Sequence, residues 1–108
     1  RYRGDVVAIV GPDCASACEF FAYNLTVDDR ATIVGHYPSA GLGGGVEDMA
    51  MPEGGMVRFT FPRAVDAENN IHIEGLGVQP DVVVPVTAES LFGGEDVLLQ
   101  AAIRELGQ

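Results

Sequence analysis

Apolar residues fall into runs with two different periods along the chain, and the periods give the elements. Asp5 to Val10 is an almost unbroken apolar run, the form a strand takes when both of its faces are covered. Gly11-Pro12-Asp13 is turn chemistry. From Ala15 to about Val27 the apolar positions Ala15, Cys18, Phe21 (or Ala22) and Leu25 recur at helical spacing. Glu19 lies near the first turn of that helix, where the dipole favours an acid. Asp28-Asp29-Arg30 ends the helix, and Ala31 to Val34 is a second short buried strand closed by Gly35. Strand, helix and strand in so short a stretch predict a parallel βαβ unit with a right-handed crossover.

Past this unit the period changes. His36 to Val46 is a glycine-rich loop, HYPSAGLGGGV. It is not a nucleotide fingerprint, because that needs a helix start after it and Glu47 to Pro52 does not supply one. A flexible loop beside a site is the better reading. Met56 to Phe61 alternates with period two, so Glu47–Met51 and Met56–Pro62 are expected as a hairpin with one face buried. Ile71–Ile73 is expected to be briefly extended and Val82–Val84 a further short strand, with Ser90–Gly94 as a turn. Glu95 to Leu106 places Val97, Leu98, Ala101, Ala102 and Leu106 on one face and is followed by Gly107, as an amphipathic terminal helix would be. No repeat, low-complexity tract or linker divides residues 1–108, which read as a single α/β domain.

Composition narrows the function classes. The chain has 108 residues, 47% of them hydrophobic, enough for one modest core. No apolar run approaches the roughly 20 residues needed to span a bilayer. Its formal net charge is −10, and its six basic residues are all Arg, so a nucleic-acid or anionic-membrane partner is not expected. The start at Arg1-Tyr2-Arg3, almost at once into a strand, reads as a piece of something longer. Cys14 and Cys18 would share a face on a helix. A disulfide within one helical turn has poor geometry, and a metal site needs more ligands, so buried free thiols are expected. The acidic pairs Asp28-Asp29 and Glu47-Asp48 read as exposed turn charges, and no metal or other cofactor is expected.

Candidate chemistry centres on Gly11 to Ala22, GPDCASACEFFA. Ser16 falls at the start of the helix, where unpaired N–H groups and the positive end of the dipole favour developing negative charge. Its bland alternative is a capping-region serine.

Three stretches together resemble the C-terminal processing (tail-specific) serine peptidase family. Ser16-Ala17-Cys18-Glu19-Phe20-Phe21-Ala22 is similar to the family's S-A-S-E-x-F/L-A, with Ser16 in the nucleophile's place and Cys18 replacing the second serine. Arg30 to Gly35 matches R-A-x-x-V-G, and Gly77-Val78-Gln79-Pro80-Asp81 matches G-V/I-x-P-D. The resemblance runs from Asp5 to Leu106. It implies a ClpP/crotonase-like fold, here the C-terminal, nucleophile-bearing part: the βαβ unit, a β-hairpin, short strands and a C-terminal helix. It also implies a serine endopeptidase acting on polypeptide through an acyl-enzyme on Ser16, with the Ala17 N–H helping to hold the oxyanion. Extracytoplasmic location, in a bacterium, is the family's leaning.

One departure decides the branch. The lysine that serves as base in the processing peptidases would fall at Gly41, and the chain contains no lysine. A hydroxyl needs a base within hydrogen-bond reach. The sequence is closer to the lysine-lacking branch similar to the tricorn core protease, which uses a Ser-His-Ser-Glu tetrad. Glu74, just before the Gly77–Asp81 element, fits that branch's glutamate; its bland alternative is a solvated turn carboxylate. The branch's histidine would lie before Arg1, so this chain alone is expected to be inactive. His36, at the end of a strand, and His72, two residues before Glu74, are lesser candidates for the base. The alternative function is a noncatalytic domain of the same fold that binds peptide or another subunit. Uncovered strand edges invite pairing with another copy, so a homodimer is also expected.

Overall fold

The computed structural model describes residues 2–107. Its centre is a parallel three-stranded sheet in the order β1-β2-β5, formed by β1 (Val7–Val10), β2 (Thr32–Gly35) and β5 (Val82–Val83). β1 pairs with β2 in the register Val7 to Thr32 through Val10 to Gly35. The intervening helix α1 (Ala17–Thr26) completes the expected parallel βαβ unit. It ends because Val27 turns extended and Asp28 and Asp29 then take left-handed backbone angles, which aspartate tolerates better than most residues.

Helices cover the sheet on both faces, which is why β1 and β2 lack a polar alternation. On one face Ala22 of α1 joins Val10, Ile33 and Val78, with Ala8 and Tyr23 at the margin. On the other, Ala101 and Ala102 of α3 (Val97–Glu105) pack with Val34, flanked by Val7, Val82, Val84 and Leu98. Small alanines at the helix contacts let both helices approach the sheet closely. Asp81 fastens the third strand. Its Oδ2 accepts from the Ile33 N–H at 2.8 Å, and its own N–H donates to the Ile33 carbonyl at 2.8 Å. The aspartate of the Gly77–Asp81 element thus ties the loop before β5 to the middle of β2.

The remainder departs from expectation in three places. β3 (Gly44–Ala50) and β4 (Met56–Arg63) do form an antiparallel hairpin, but every residue of β4 is exposed, so the hairpin has no buried face. Alternation sets which side is apolar; no element among the described residues covers it. The brief extended piece expected at Ile71–Ile73 is shorter: Ile71 bridges Val65, and the Ile73 carbonyl already accepts from the Leu76 and Gly77 N–H groups in a turn. Ser90–Gly94 is not simply a turn, since α2 (Ala88–Phe92) occupies most of it. Thr87 and Ser90 cap its start reciprocally, at 2.8 and 3.1 Å, and that capping sustains a helix too short to show periodicity.

Candidate active site

Ser16 is the N-cap of α1 and is solvent-exposed. Its backbone has φ 54° and ψ −116°, a conformation a non-glycine residue adopts only when its surroundings enforce it. The short turn Gly11–Ser16 between β1 and α1 thus presents the serine sharply at a strand-to-helix corner, the arrangement in which hydrolases expose a nucleophile. Ala17 is the first helical residue. Its N–H takes no part in the backbone hydrogen bonds among the described residues, as expected for the first turn of a helix.

Two constraints hold that corner. Glu19 Oε2 accepts from the Ser16 N–H at 2.9 Å. The second is a disulfide between Cys14 and Cys18, with Cα atoms 5.3 Å apart. This corrects the expectation of free thiols. The geometric objection assumed that both cysteines lie on the helix. Cys14 precedes it, and the left-handed Ser16 between them turns the chain back so that the two side chains meet.

Glu19 is fully buried, although it is charged. Its Oε1 accepts from Ser39 Oγ and the Gly41 N–H, both at 2.6 Å. Its Oε2 accepts from the Leu42 N–H at 2.8 Å besides Ser16. Ser39 Oγ in turn accepts from the Val78 N–H at 2.6 Å. Burial alone pushes the Glu19 carboxyl up, but the bonds from Ser39, Gly41, Leu42 and Ser16 outweigh it and hold its pKa below the ordinary carboxylate value.

Ser16 and Glu74 line one cleft of about 410 Å³, together with Leu42, Gly44, Gly45, Val46 and Thr60. Glu74 is half-buried, and its Oε2 is shielded from solvent without a hydrogen-bond partner. One of its two carboxylate oxygens is thus withdrawn from solvent. A side chain at Gly44 would meet the Pro62 carbonyl at 2.6 Å and stand 3.3 Å from Glu74 Oε2, so glycine there keeps the cleft open beside the carboxylate. The glycine-rich stretch lies beside the site, as expected, but from Gly44 it is already strand β3; Leu42, Gly44 and Gly45 form part of the cleft wall.

Neither histidine lines this cleft. His36 sits at the end of β2 with Nδ1 2.8 Å from the Val84 carbonyl, which fixes its ring to the sheet edge. The His72 ring packs on Tyr23, centroids 3.9 Å apart, in a separate cleft with Phe20 and Val65.

The model of peptidase family S41 matches residues 1–84. The chain belongs to peptidase family S41. Two of the solved structures that resemble it in three dimensions bear on the fold. One, from Parabacteroides merdae ATCC 43184 and provisionally described as a peptidase, is 25% identical with a TM-score of 0.83; the match covers 98% of this chain and 33% of that one. The other, mature CPAF, is 28% identical with a TM-score of 0.75, covering 94% of this chain and 20% of that one. This S41 chain therefore spans about a third and a fifth of the length of those structures. No curated protein matches. The fold is the α/β fold of S41 peptidases, and the family is one of serine peptidases.

Gly41 is where the sequence reading expects the processing peptidases' lysine to fall. Its φ is +79°, and a Cβ there would lie 3.3–3.4 Å from the Gly75 backbone. A side chain at Gly41 is therefore disfavoured by the backbone angle and by the close Gly75 backbone. Glu19 and Ser39 organise the site without standing out in the sequence as doing so. Ser16 and Glu19 have the three-residue spacing of a capping box, which signals their bond; nothing in the sequence signals Ser39.

Proposed function

We propose that this S41 chain carries the nucleophile and the orienting acid of a serine endopeptidase. The observation that carries this is the shared cleft of Ser16 and Glu74, with one Glu74 oxygen buried and unpartnered. A desolvated, unpaired carboxylate oxygen is costly unless a donor meets it. An imidazole N–H from a histidine outside these residues supplies that donor and, through its other nitrogen, takes the Ser16 proton. Ser16 Oγ then forms a bond to the scissile carbonyl carbon, and the Ala17 N–H helps hold the oxyanion. The C–N bond breaks as the amine takes the proton from the imidazolium. Water hydrolyses the acyl-enzyme by the same route in reverse. The substrate class is polypeptide. Neither internal histidine lines the cleft, so the chain by itself does not turn over. The disulfide fits an oxidising, extracytoplasmic compartment.

The test is covalent labelling of the intact protein with a fluorophosphonate probe, alongside peptide hydrolysis. Ser16→Ala should abolish labelling and lower kcat at least about 10⁴-fold, and Glu74→Gln should lower kcat about 10³–10⁴-fold with labelling slowed. Labelling that survives Ser16→Ala overturns the assignment. The second reading, a noncatalytic peptide-binding or subunit-binding domain, draws on the missing base: there, the intact protein binds peptide, releases no product and is not labelled.

A further inference from the structure

We infer that Glu19 is a positioning residue that fixes Ser16 and Glu74 relative to each other. The inference rests on the peptidase reading and adds a residue to it. Glu19 touches neither substrate nor the reacting atoms; it acts through the backbone on either side of the cleft. On one side, Oε2 accepts from the Ser16 N–H at 2.9 Å and so helps hold that residue at φ 54°. On the other, Oε1 accepts from the Gly41 N–H at 2.6 Å, and the Gly41 carbonyl accepts from the Gly75 N–H at 2.8 Å. Gly75 adjoins Glu74. An unbroken series of short contacts therefore runs Ser16, Glu19, Gly41, Gly75, Glu74. Three further bonds brace it: Leu42, which lines the cleft, donates to Oε2, and Ser39 Oγ bridges Oε1 to the Val78 N–H at 2.6 Å on each side.

Four donors converge on one buried carboxylate. A carboxylate accepts at both oxygens, whereas an amide of the same shape turns two of its own donors toward N–H or O–H groups. The four bonds tie three separate segments, the nucleophile corner, the loop 39–42 and, through Ser39, the Gly77–Asp81 element. Buried networks of this kind hold geometry because every member is satisfied. In a site where small misplacements carry large losses of rate, such a strut belongs to the catalytic apparatus without reacting.

The test uses the intact protein, with the rate and the final extent of fluorophosphonate labelling measured separately, and kcat and KM for a peptide. Glu19→Gln should reach full labelling of the folded protein at a rate about 100-fold lower, with kcat reduced in step and KM within about threefold. Glu19→Asp, which keeps the charge, should recover part of the rate. A purely structural role would instead lower the final extent and leave the rate per labelled molecule unchanged, and that result overturns the inference. Should Glu19→Gln fail to fold, Ser39→Ala removes one bond to the carboxylate and leaves the charge. It should label about tenfold slower, and labelling at the wild-type rate sinks the proposal. Wild-type protein that is not labelled at Ser16 overturns the peptidase reading and this inference together. Labelling of wild type and Glu19→Gln at equal rates overturns the inference alone.

Discussion

Glu19 shows how one buried charge is kept in a domain of this size. Isolated in an apolar interior, a carboxylate would neutralise by raising its pKa. Here the hydrogen bonds prevail and the pKa falls below its ordinary value of 4.5. The sign of the stability effect follows. A carboxyl with a lower pKa folded than unfolded contributes stability that is fully present above the unfolded value and is lost as pH falls through the folded one. Wild-type protein should therefore lose melting temperature on acidification from about pH 5 to pH 3, and Glu19→Gln, already destabilised at pH 7, should lose markedly less across the same interval. Calorimetry of both proteins over that range checks it; parallel curves would mean that other carboxylates dominate the acid transition. Gly41 is the complementary case at this scale. There the backbone, at φ +79° and close against Gly75, determines the residue, and placing a lysine would cost roughly 1–2 kcal/mol in the left-handed region before its side chain found room.

At the scale of elements, the nucleophile corner is a strand end, a turn and a helix start stapled by the Cys14–Cys18 disulfide. The bond closes a short loop, four residues apart in sequence, so chain entropy limits its contribution to about 2 kcal/mol. Cys14→Ser/Cys18→Ser should lower the unfolding free energy from urea titration by no more than that, and a dithiol reductant should do the same to wild type but nothing to the variant. A reductant effect on the variant would show that something other than this bond is being read. The elements themselves were largely legible. The βαβ unit declared itself because β1 and β2 are covered on both faces and α1 carries a helical period. Glu74 drew notice from its place before Gly77–Asp81, and the structure brings it into one cleft with Ser16. The disulfide could not be read, because the cysteine spacing was judged on a helix that starts three residues after Cys14. Nor could the Glu19 network, since Ser39, Gly41 and Leu42 reach it across more than 19 residues of sequence, and local pattern carries no long-range pairing. α2 was too short to have a period at all.

For the whole molecule, shape is the telling quantity. The radius of gyration is 17.3 Å and the long axis 59 Å, against about 13 Å for a compact domain of this length. The β3–β4 hairpin, whose strands pack chiefly on each other, fits that extension. Its register pairs Glu47 with Phe59 and Met49 with Val57, which puts Met49, Val57, Phe59 and Phe61 on one face, with Glu47 at its margin. Phe61 is 75% exposed and Met49 56%. The opposite face carries the Asp48–Arg58 ion pair, bonded at 2.6 and 2.8 Å, and is the better suited to water. A two-stranded hairpin is marginal alone, so an apolar face of this kind calls for cover. Phe59 and Phe61 each bring roughly 150–250 Å² when fully buried, and a standard interface needs about 800 Å² per partner. One hairpin face thus falls short of a tight dimer but suffices for a weak one. This chain alone should be monomeric when dilute and dimeric at high concentration by light scattering, and Phe59→Ser/Phe61→Ser should hold it monomeric throughout with the sheet core intact by circular dichroism. A monomeric mass for the unsubstituted chain at every concentration would refute self-association through this face.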